Sequence, residues 1–348
     1  KSGNGVRGVL EESMSVDEIL QNHDHVDHKS DKMFPHPVLG YVTPWNNHGY
    51  DVAKMLAHKF THISPVWFQI RRTNDQFEIT GTHDLDQMWI RDVRSNNSGI
   101  KIVPRFLFEN WDPVDYRTIF VMEELQDECA KVIINFLKRN KLDGAVLELW
   151  IQVASMMRSQ ANDDLIHFVI HLSEMIRHAN KEVILVVPPP LGADYGPSGI
   201  FDASHFARLS PFVDYFSLMT YDFPGRRAGP VAPISWAKGC AESLLQLAPT
   251  YARKLLMGVN FYGYDYFPRG SNVEAVLGHQ YLKMLKSKRP TLLWDKEAME
   301  HYIEFDGHVV YYPSLSSIDA RLNLAKELNV GISVWEIGQG LDYFYNLL

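Results

Sequence analysis

The sequence predicts an α/β fold, a (β/α)8 TIM barrel with a small insertion between the seventh and eighth strands. Three observations carry this. From residue 38 onward, eight short runs rich in β-branched and aromatic residues alternate with longer segments of helical pattern. Two of those segments carry clear apolar stripes, Leu125, Cys129, Val132, Ile133 and Phe136 in one and Leu165, Phe168, Leu172, Met175 and Ile176 in the other. The length of 348 residues, which at roughly 150 per domain suggests two units, also suits one barrel with a single large core. A doubly wound sheet is the alternative arrangement.

In chain order, residues 1–36 read as an N-terminal extension and 37–348 as the barrel. Ser15 and Glu18 form a capping box opening a short helix, and the run from Asn22 to His28 ends it. That run holds three His and two Asp, a metal-capable set without any recognised zinc spacing, and is read as a polar extension. The strand runs cover 38–44, 60–68, 100–108, 144–150, 183–190, 213–223, 254–264 and 331–338. Between the last two lies the longest gap. Its end, Ser317 to Leu328, is a crossover helix; the stretch of about 265–312 contains further strand-like pieces near 292 and at 308–313 and is read as an insertion forming one wall of a cleft. There is no internal repeat.

Composition excludes several classes. With 34 Lys plus Arg against 42 Asp plus Glu, the net charge of −8 argues against sequence-independent nucleic-acid binding, and the pairs Arg71-Arg72 and Arg226-Arg227 read as solvated surface. No stretch approaches about 18 consecutive apolar residues, so no membrane span is expected. Two cysteines, Cys129 and Cys240, both in helical pattern, are expected to be buried free thiols. The opening KSGNGVRGVL has neither an initiator Met nor an apolar leader, which fits a processed or a trimmed chain. Asn96-Asn97-Ser98 is a glycosylation sequon, of a length that also arises by chance. Neither cofactor nor metal is expected.

Five strand segments share a pattern. Asp143-Gly144-Ala145-Val146-Leu147-Glu148-Leu149-Trp150 resembles the DGxxxDxE signature of glycoside hydrolase family 18. Met219-Thr220-Tyr221-Asp222 resembles that family's MxYD motif, and Gly331 to Trp335 its closing strand. The runs FTHISPVWF and GVNFYGY also match, so the resemblance covers roughly residues 38–340. It implies binding of chitin or related N-acetylglucosamine polymers. In active members it implies hydrolysis by one carboxylic acid, with the substrate's own N-acetyl oxygen as nucleophile. Aligning Asp143-Gly144 puts Glu148 at the second Asp of the signature and Trp150 at the acid, and an indole cannot protonate a glycosidic oxygen. Strand alternation puts Val146, Glu148 and Trp150 on the barrel-facing side, with Glu148 roughly 6 to 7 Å deeper than residue 150 and held by Tyr221 or Arg105.

Within the family, the resemblance points to the animal chitinase-like lectins. It implies a secreted or lysosomal, innate-immune glycan-binding protein that is not an enzyme, with a stabilin-type scavenger receptor as partner. The ligand-binding candidates are Trp45, Trp67, Glu109, Trp111, Glu148, Trp150, Met219, Tyr221, Asp222, Tyr262 and Trp335; the resemblance assigns Tyr221 to the N-acetyl group and Asp222 to the sugar or the neighbouring loop, with Trp335 as the floor ring. Rings collected where loops leave strands suit the apolar C–H faces of pyranoses. Two placements of Trp150 stay open, stacking on a sugar or blocking the central subsite. The rival functions are a weak glycosidase whose displaced acid is Glu148, and a protein-interaction scaffold with a vestigial cleft.

Overall fold

The computed structural model describes residues 14–157, 162–225, 227–267 and 272–348; Arg226 and the opening residues of the chain lie outside them. Eight parallel strands form a closed ring: Val38–Val42, a second strand in two pieces (His62–Pro65 and Phe68–Thr73), a third in two pieces (Lys101–Ile102 and Arg105–Phe108), Gly144–Glu148, Glu182–Val187, Tyr215–Leu218, Leu255–Asn260 and Gly331–Trp335. Each pairs with its neighbours in chain order, and the eighth pairs with the first through Val38 and Ile332. The second and third strands break side by side, the latter at Pro104, which has no N–H for the ladder. Their lower pieces pair with each other, and so do their upper pieces.

Alternation along these strands sorts side chains into two cores. Leu39, Tyr41, Val66, Val103, Val146, Ile184, Val186 and Leu256 fill the ring, with Met219 and Trp335 packed above them. The other faces meet the helices. In Glu123–Arg139 the residues Cys129, Ile133 and Phe136 are buried, and in Asn162–His178 so are Leu165, Phe168, Leu172 and Ile176. Both stripes are those anticipated, and Cys129 and Cys240 are buried free thiols. Among the described residues no helix is long and apolar enough to cross a membrane.

Ser15 and Glu18 form the expected capping box on the helix Val16–Asn22. The segment after it is tied to the C-terminal end: Tyr343 N–H donates to the His23 carbonyl (2.9 Å), and Met33 N–H to the Leu348 carbonyl (2.7 Å). Among the described residues no group of three or more His, Cys, Asp or Glu is placed to hold a metal ion. One hairpin was not anticipated. Phe68–Thr73 turns back into Gln76–Thr80 through Asn74 and Asp75, both at positive φ (50° and 60°), as a two-residue turn of this hand requires.

Between the seventh and eighth barrel strands the chain forms a second, antiparallel sheet. Its order is Asn272–Val276, Gly263–Phe267, His308–Tyr311, Glu300–Phe305, Leu293–Asp295. A buried ion pair joins this sheet to the barrel. Glu300 accepts from the N–H groups of Val231 (3.1 Å) and Ala232 (3.0 Å), while Arg321 lies 3.5 Å from it. Arg321, on the crossover helix Leu315–Leu328, donates to the carbonyls of Ala232, Ala298, Met299 and Ser317. Removing one partner of such a pair leaves a buried charge without its counter-ion. Arg321→Met is therefore expected to lower the unfolding free energy by about 3–5 kcal/mol in urea titration; a loss under about 1 kcal/mol would show that the cluster does not anchor the sheet.

Candidate functional site

The fourth strand ends at Glu148, and Trp150 already opens the helix Trp150–Met157. Asp143, before the strand, accepts from Ile102 N–H (2.8 Å) and pairs with Arg94 (2.8 Å), which sets the register. Glu148 is then the last inward-facing group of the strand. Its Oε2 receives Arg105 Nη1 at 3.2 Å, from the neighbouring third strand. Burial raises its pKa above the ordinary carboxylate value and outweighs the opposing pull of Arg105. Of the two anticipated holders of this carboxyl, Arg105 is the one in contact.

Around Glu148 the strand ends bring together an aromatic mouth. Tyr41 shares a hydrogen bond with Ser217 (2.7 Å), and its ring centre lies 5.0 Å from that of half-buried Trp335. Tyr221, 8% exposed, packs over Gly258, where a Cβ would stand 2.8 Å from the Tyr221 ring and 2.4 Å from the Leu218 carbonyl. Asp222, at φ 54°, accepts from the hydroxyls of Tyr262 and Tyr264, the latter at 2.5 Å. Burial and the Asp222 charge push both phenols up, so they remain protonated donors. Met219 packs against the interior cluster below. Trp45, in the loop after the first strand, is 67% exposed. The structure thus gathers Glu148, Met219, Tyr221, Asp222, Tyr262 and Trp335 at one mouth.

Three rings expected at the ligand are elsewhere. Trp150 is 1% exposed; its indole N–H donates to the Ile200 carbonyl (2.9 Å), and its ring packs on Phe201 and His205. It sits in the core between the strand ring and the helices, because the strand's alternation stops two residues before it. Trp67 is buried with its N–H on the Tyr50 hydroxyl (2.8 Å). Trp111 is buried against Tyr116, donating to the Ile70 carbonyl (3.0 Å). Glu109 is held by Arg71 at 2.6 Å. Asn96, exposed, donates its amide to the Lys54 carbonyl (2.6 Å).

Sequence reasoning missed Glu336. Fully buried after Trp335, its Oε2 accepts from the Thr43 N–H (3.1 Å) and hydroxyl (2.6 Å), joining the eighth strand to the loop that carries Trp45. A carboxylate next to the floor Trp was the available signal. Burial pushes its pKa up to about 7 against the Thr43 hydrogen bonds.

Two outcomes follow from this geometry. Trp150→Ala is expected to cost about 3–5 kcal/mol of stability in urea titration, as large-to-small changes in a core do; a cost near zero would mean the ring is not core. For Glu336, the folded state holds the proton more tightly than the unfolded chain. Its stabilising contribution is therefore full below the ordinary value of 4.5 and is lost as pH rises through about 7. Glu336→Gln cannot ionise, and should flatten the decline of stability with pH by on the order of 3 kcal/mol; an unchanged slope would contradict the shift.

Comparison with known proteins adds to this geometry. A model of glycosyl hydrolases family 18 matches residues 37–340. The "Cortical fragment-lytic enzyme" of Bacillus subtilis (strain 168) is 28% identical over 205 residues, 55% of this chain and 47% of that protein. The "Uncharacterized glycosylase YvbX" of the same organism is 22% identical over 191 residues, 52% of this chain and 55% of its own. The matches thus span about half the length of these curated relatives. A chitinase from Chromobacterium violaceum ATCC 12472 superposes with a TM-score of 0.75 at 18% identity, over 90% of this chain and 97% of its own. The spore cortex-lytic enzyme SleL of Bacillus megaterium QM B1551 does so at 0.70 and 19%, over 90% and 72%. These names correct the expectation of a non-catalytic lectin: the relatives are lytic enzymes and glycosylases, and nothing among them supports the animal lectin branch or its scavenger-receptor partner. With its closed barrel and a family model matched along nearly its whole length, the chain belongs to glycosyl hydrolases family 18.

Proposed function

We propose that this chain hydrolyses glycans containing N-acetylglucosamine, with Glu148 as the acid. The observation that carries the reading is the inward Glu148 carboxyl at the end of the fourth strand, its pKa raised by burial, with the indole of Trp150 turned out of the mouth. A carboxyl whose pKa lies above its ordinary value is better suited to donate to a leaving oxygen. In the reaction this supports, Glu148 gives its proton to the glycosidic oxygen as the C1–O bond breaks, and the substrate's N-acetyl oxygen bonds to C1. Water then attacks C1, releasing that oxygen and returning a proton to the Glu148 carboxylate. Tyr221 would donate to the N-acetyl carbonyl, consistent with the motif it occupies. The relatives named for lysing spore cortex and the chitinases named among similar structures support an amino-sugar polymer as the substrate class.

On this reading the second sheet is an insertion forming one wall of the cleft, since Tyr264 reaches Asp222 from its first strand.

The test is incubation with N-acetylglucosamine hexamer and with peptidoglycan fragments, followed by mass spectrometry of the products. Shortened products are expected, with turnover falling at least about 100-fold in Glu148→Gln. Activity should decline on the alkaline side as the acid loses its proton. Intact substrates in both incubations, or full turnover in the variant, would overturn the assignment.

A further inference from the structure

Arg105 stands in the upper piece of the third strand, level with Val146 of the fourth, while Leu107 is level with Glu148. Its inward surroundings are apolar: Val103, two residues before it, and Val146 beside it both belong to the cluster that fills the ring. A guanidinium placed there has few groups to bind. Among the described residues it makes one hydrogen bond, from Nη1 to Glu148 Oε2 at 3.2 Å, and its Nε, sealed from solvent, makes none. A buried donor without a partner carries a free-energy cost, and such a group in a native core calls for an account.

Arginine frequently holds a carboxylate with two parallel N–H groups, one to each oxygen. Here one N–H meets one oxygen, and among the described residues no donor reaches Glu148 Oε1. A guanidinium has only donors and keeps its protons. The Glu148 oxygen that faces it therefore accepts, and when the carboxyl is protonated its hydrogen stands on Oε1. No second charge competes, since Arg105 is the charged group that acts on Glu148. The other titratable groups that sense this carboxyl are Tyr41 of the first strand and Tyr221 after the sixth. Burial pushes both phenols up, so both are neutral.

We propose that Arg105 is a positioning residue for the hydrolysis, directing the acidic proton of Glu148 to Oε1 and serving as counter-ion to the carboxylate left when that proton departs. The proposal rests on the reading of Glu148 as the acid given above. In the first step the Oε1 proton passes to the glycosidic oxygen as its bond to C1 breaks, and the substrate's N-acetyl oxygen bonds to C1. The electron pair of the O–H bond stays on the carboxylate, where the Arg105 contact becomes charge-assisted and stronger. In the second step water bonds to C1, the N-acetyl oxygen leaves, and a water proton returns to Oε1. An acid whose proton sits on a fixed oxygen meets the leaving group already oriented.

The test is the pH dependence of N-acetylglucosamine hexamer hydrolysis by the native chain, Arg105→Met and Arg105→Lys. Alongside it, the Glu148 carboxyl is titrated by carbon-13 NMR of glutamate-labelled protein, its resonance assigned by its loss in Glu148→Gln. In Arg105→Met, removal of the cation should move the carboxyl titration and the alkaline limb of activity up together, by about one pH unit or more. On the acidic plateau kcat should fall about tenfold with KM little changed. Arg105→Lys keeps the charge and should hold the titration near its native place while recovering part of kcat. Where Arg105→Met does not fold, Arg105→Gln, a neutral donor, replaces it with the same upward shift expected. An unmoved titration in the uncharged variant would overturn the proposal even if kcat falls, because a merely structural residue lowers activity without moving the carboxyl. In that case a native chain that still cleaves the hexamer leaves the hydrolytic reading standing and removes Arg105 alone. Absence of hydrolysis by the native chain would remove both the hydrolytic reading and the positioning role.

Discussion

The site depends on where the fourth strand stops. A strand presents alternate side chains to the barrel interior only while it stays extended, and here extension ends at Glu148. One residue later the backbone is entering a helix, whose 100° step carries Trp150 away from the axis and into the layer beneath the helices. The same turn leaves Glu148 as the outermost inward carboxyl of that strand. A carboxyl and an indole that a continued alternation would set on one face are thereby assigned to different compartments, one facing the mouth and one sealed in the core.

Placing a carboxyl inside the strand ring carries a desolvation cost, and Arg105 offsets part of it. The offset is incomplete, since burial still dominates and holds the group toward its protonated form. A tighter pair would fix the carboxylate in its ionised state, while the absence of Arg105 would leave a buried acid without any counter-charge. The 3.2 Å contact with Arg105 lies between these extremes. On the sixth strand the division of labour is similar: Asp222 is surrounded by phenols that donate to it, and Gly258 leaves the space that Tyr221 needs.

Much of the fold was legible because it repeats. Eight apolar runs, the stripes around Cys129 and Phe168, and the Ser15 capping box each follow from local periodicity, and each appears where that periodicity puts it. The site was legible only as far as the strands extend. Tyr221, Asp222, Tyr262 and Trp335 converge on the mouth, but Trp67, Trp111 and Trp150, which also stand near strand ends, are core, because an aromatic residue at that position fits either role and spacing does not report the turn that decides it. Glu336 escaped notice for the converse reason. Its carboxylate lies next in sequence to a recognised Trp, and only the fold shows it buried against Thr43. The non-enzymatic expectation had a different root, an indole standing where the family signature places its acid, and it is the named relatives, lytic enzymes and glycosylases, that overturn it.

What holds the mouth in shape is the segment after the sixth strand. Phe223 N–H donates to the Val231 carbonyl (2.8 Å), so the chain from Asp222 onward folds back on itself. The N–H groups of Val231 and Ala232 are taken by Glu300 of the second sheet, and the Ala232 carbonyl by Arg321 of the crossover helix. From the other side, Trp236 reaches the loop after the fifth strand. Asp222 is therefore positioned by elements far apart in sequence, and its left-handed backbone persists because they over-determine it. Preset hydrogen-bond donors act most strongly where water is excluded and their orientation is already set. The buried Glu300–Arg321 pair bears on the mouth through the rigidity it gives the segment after Asp222.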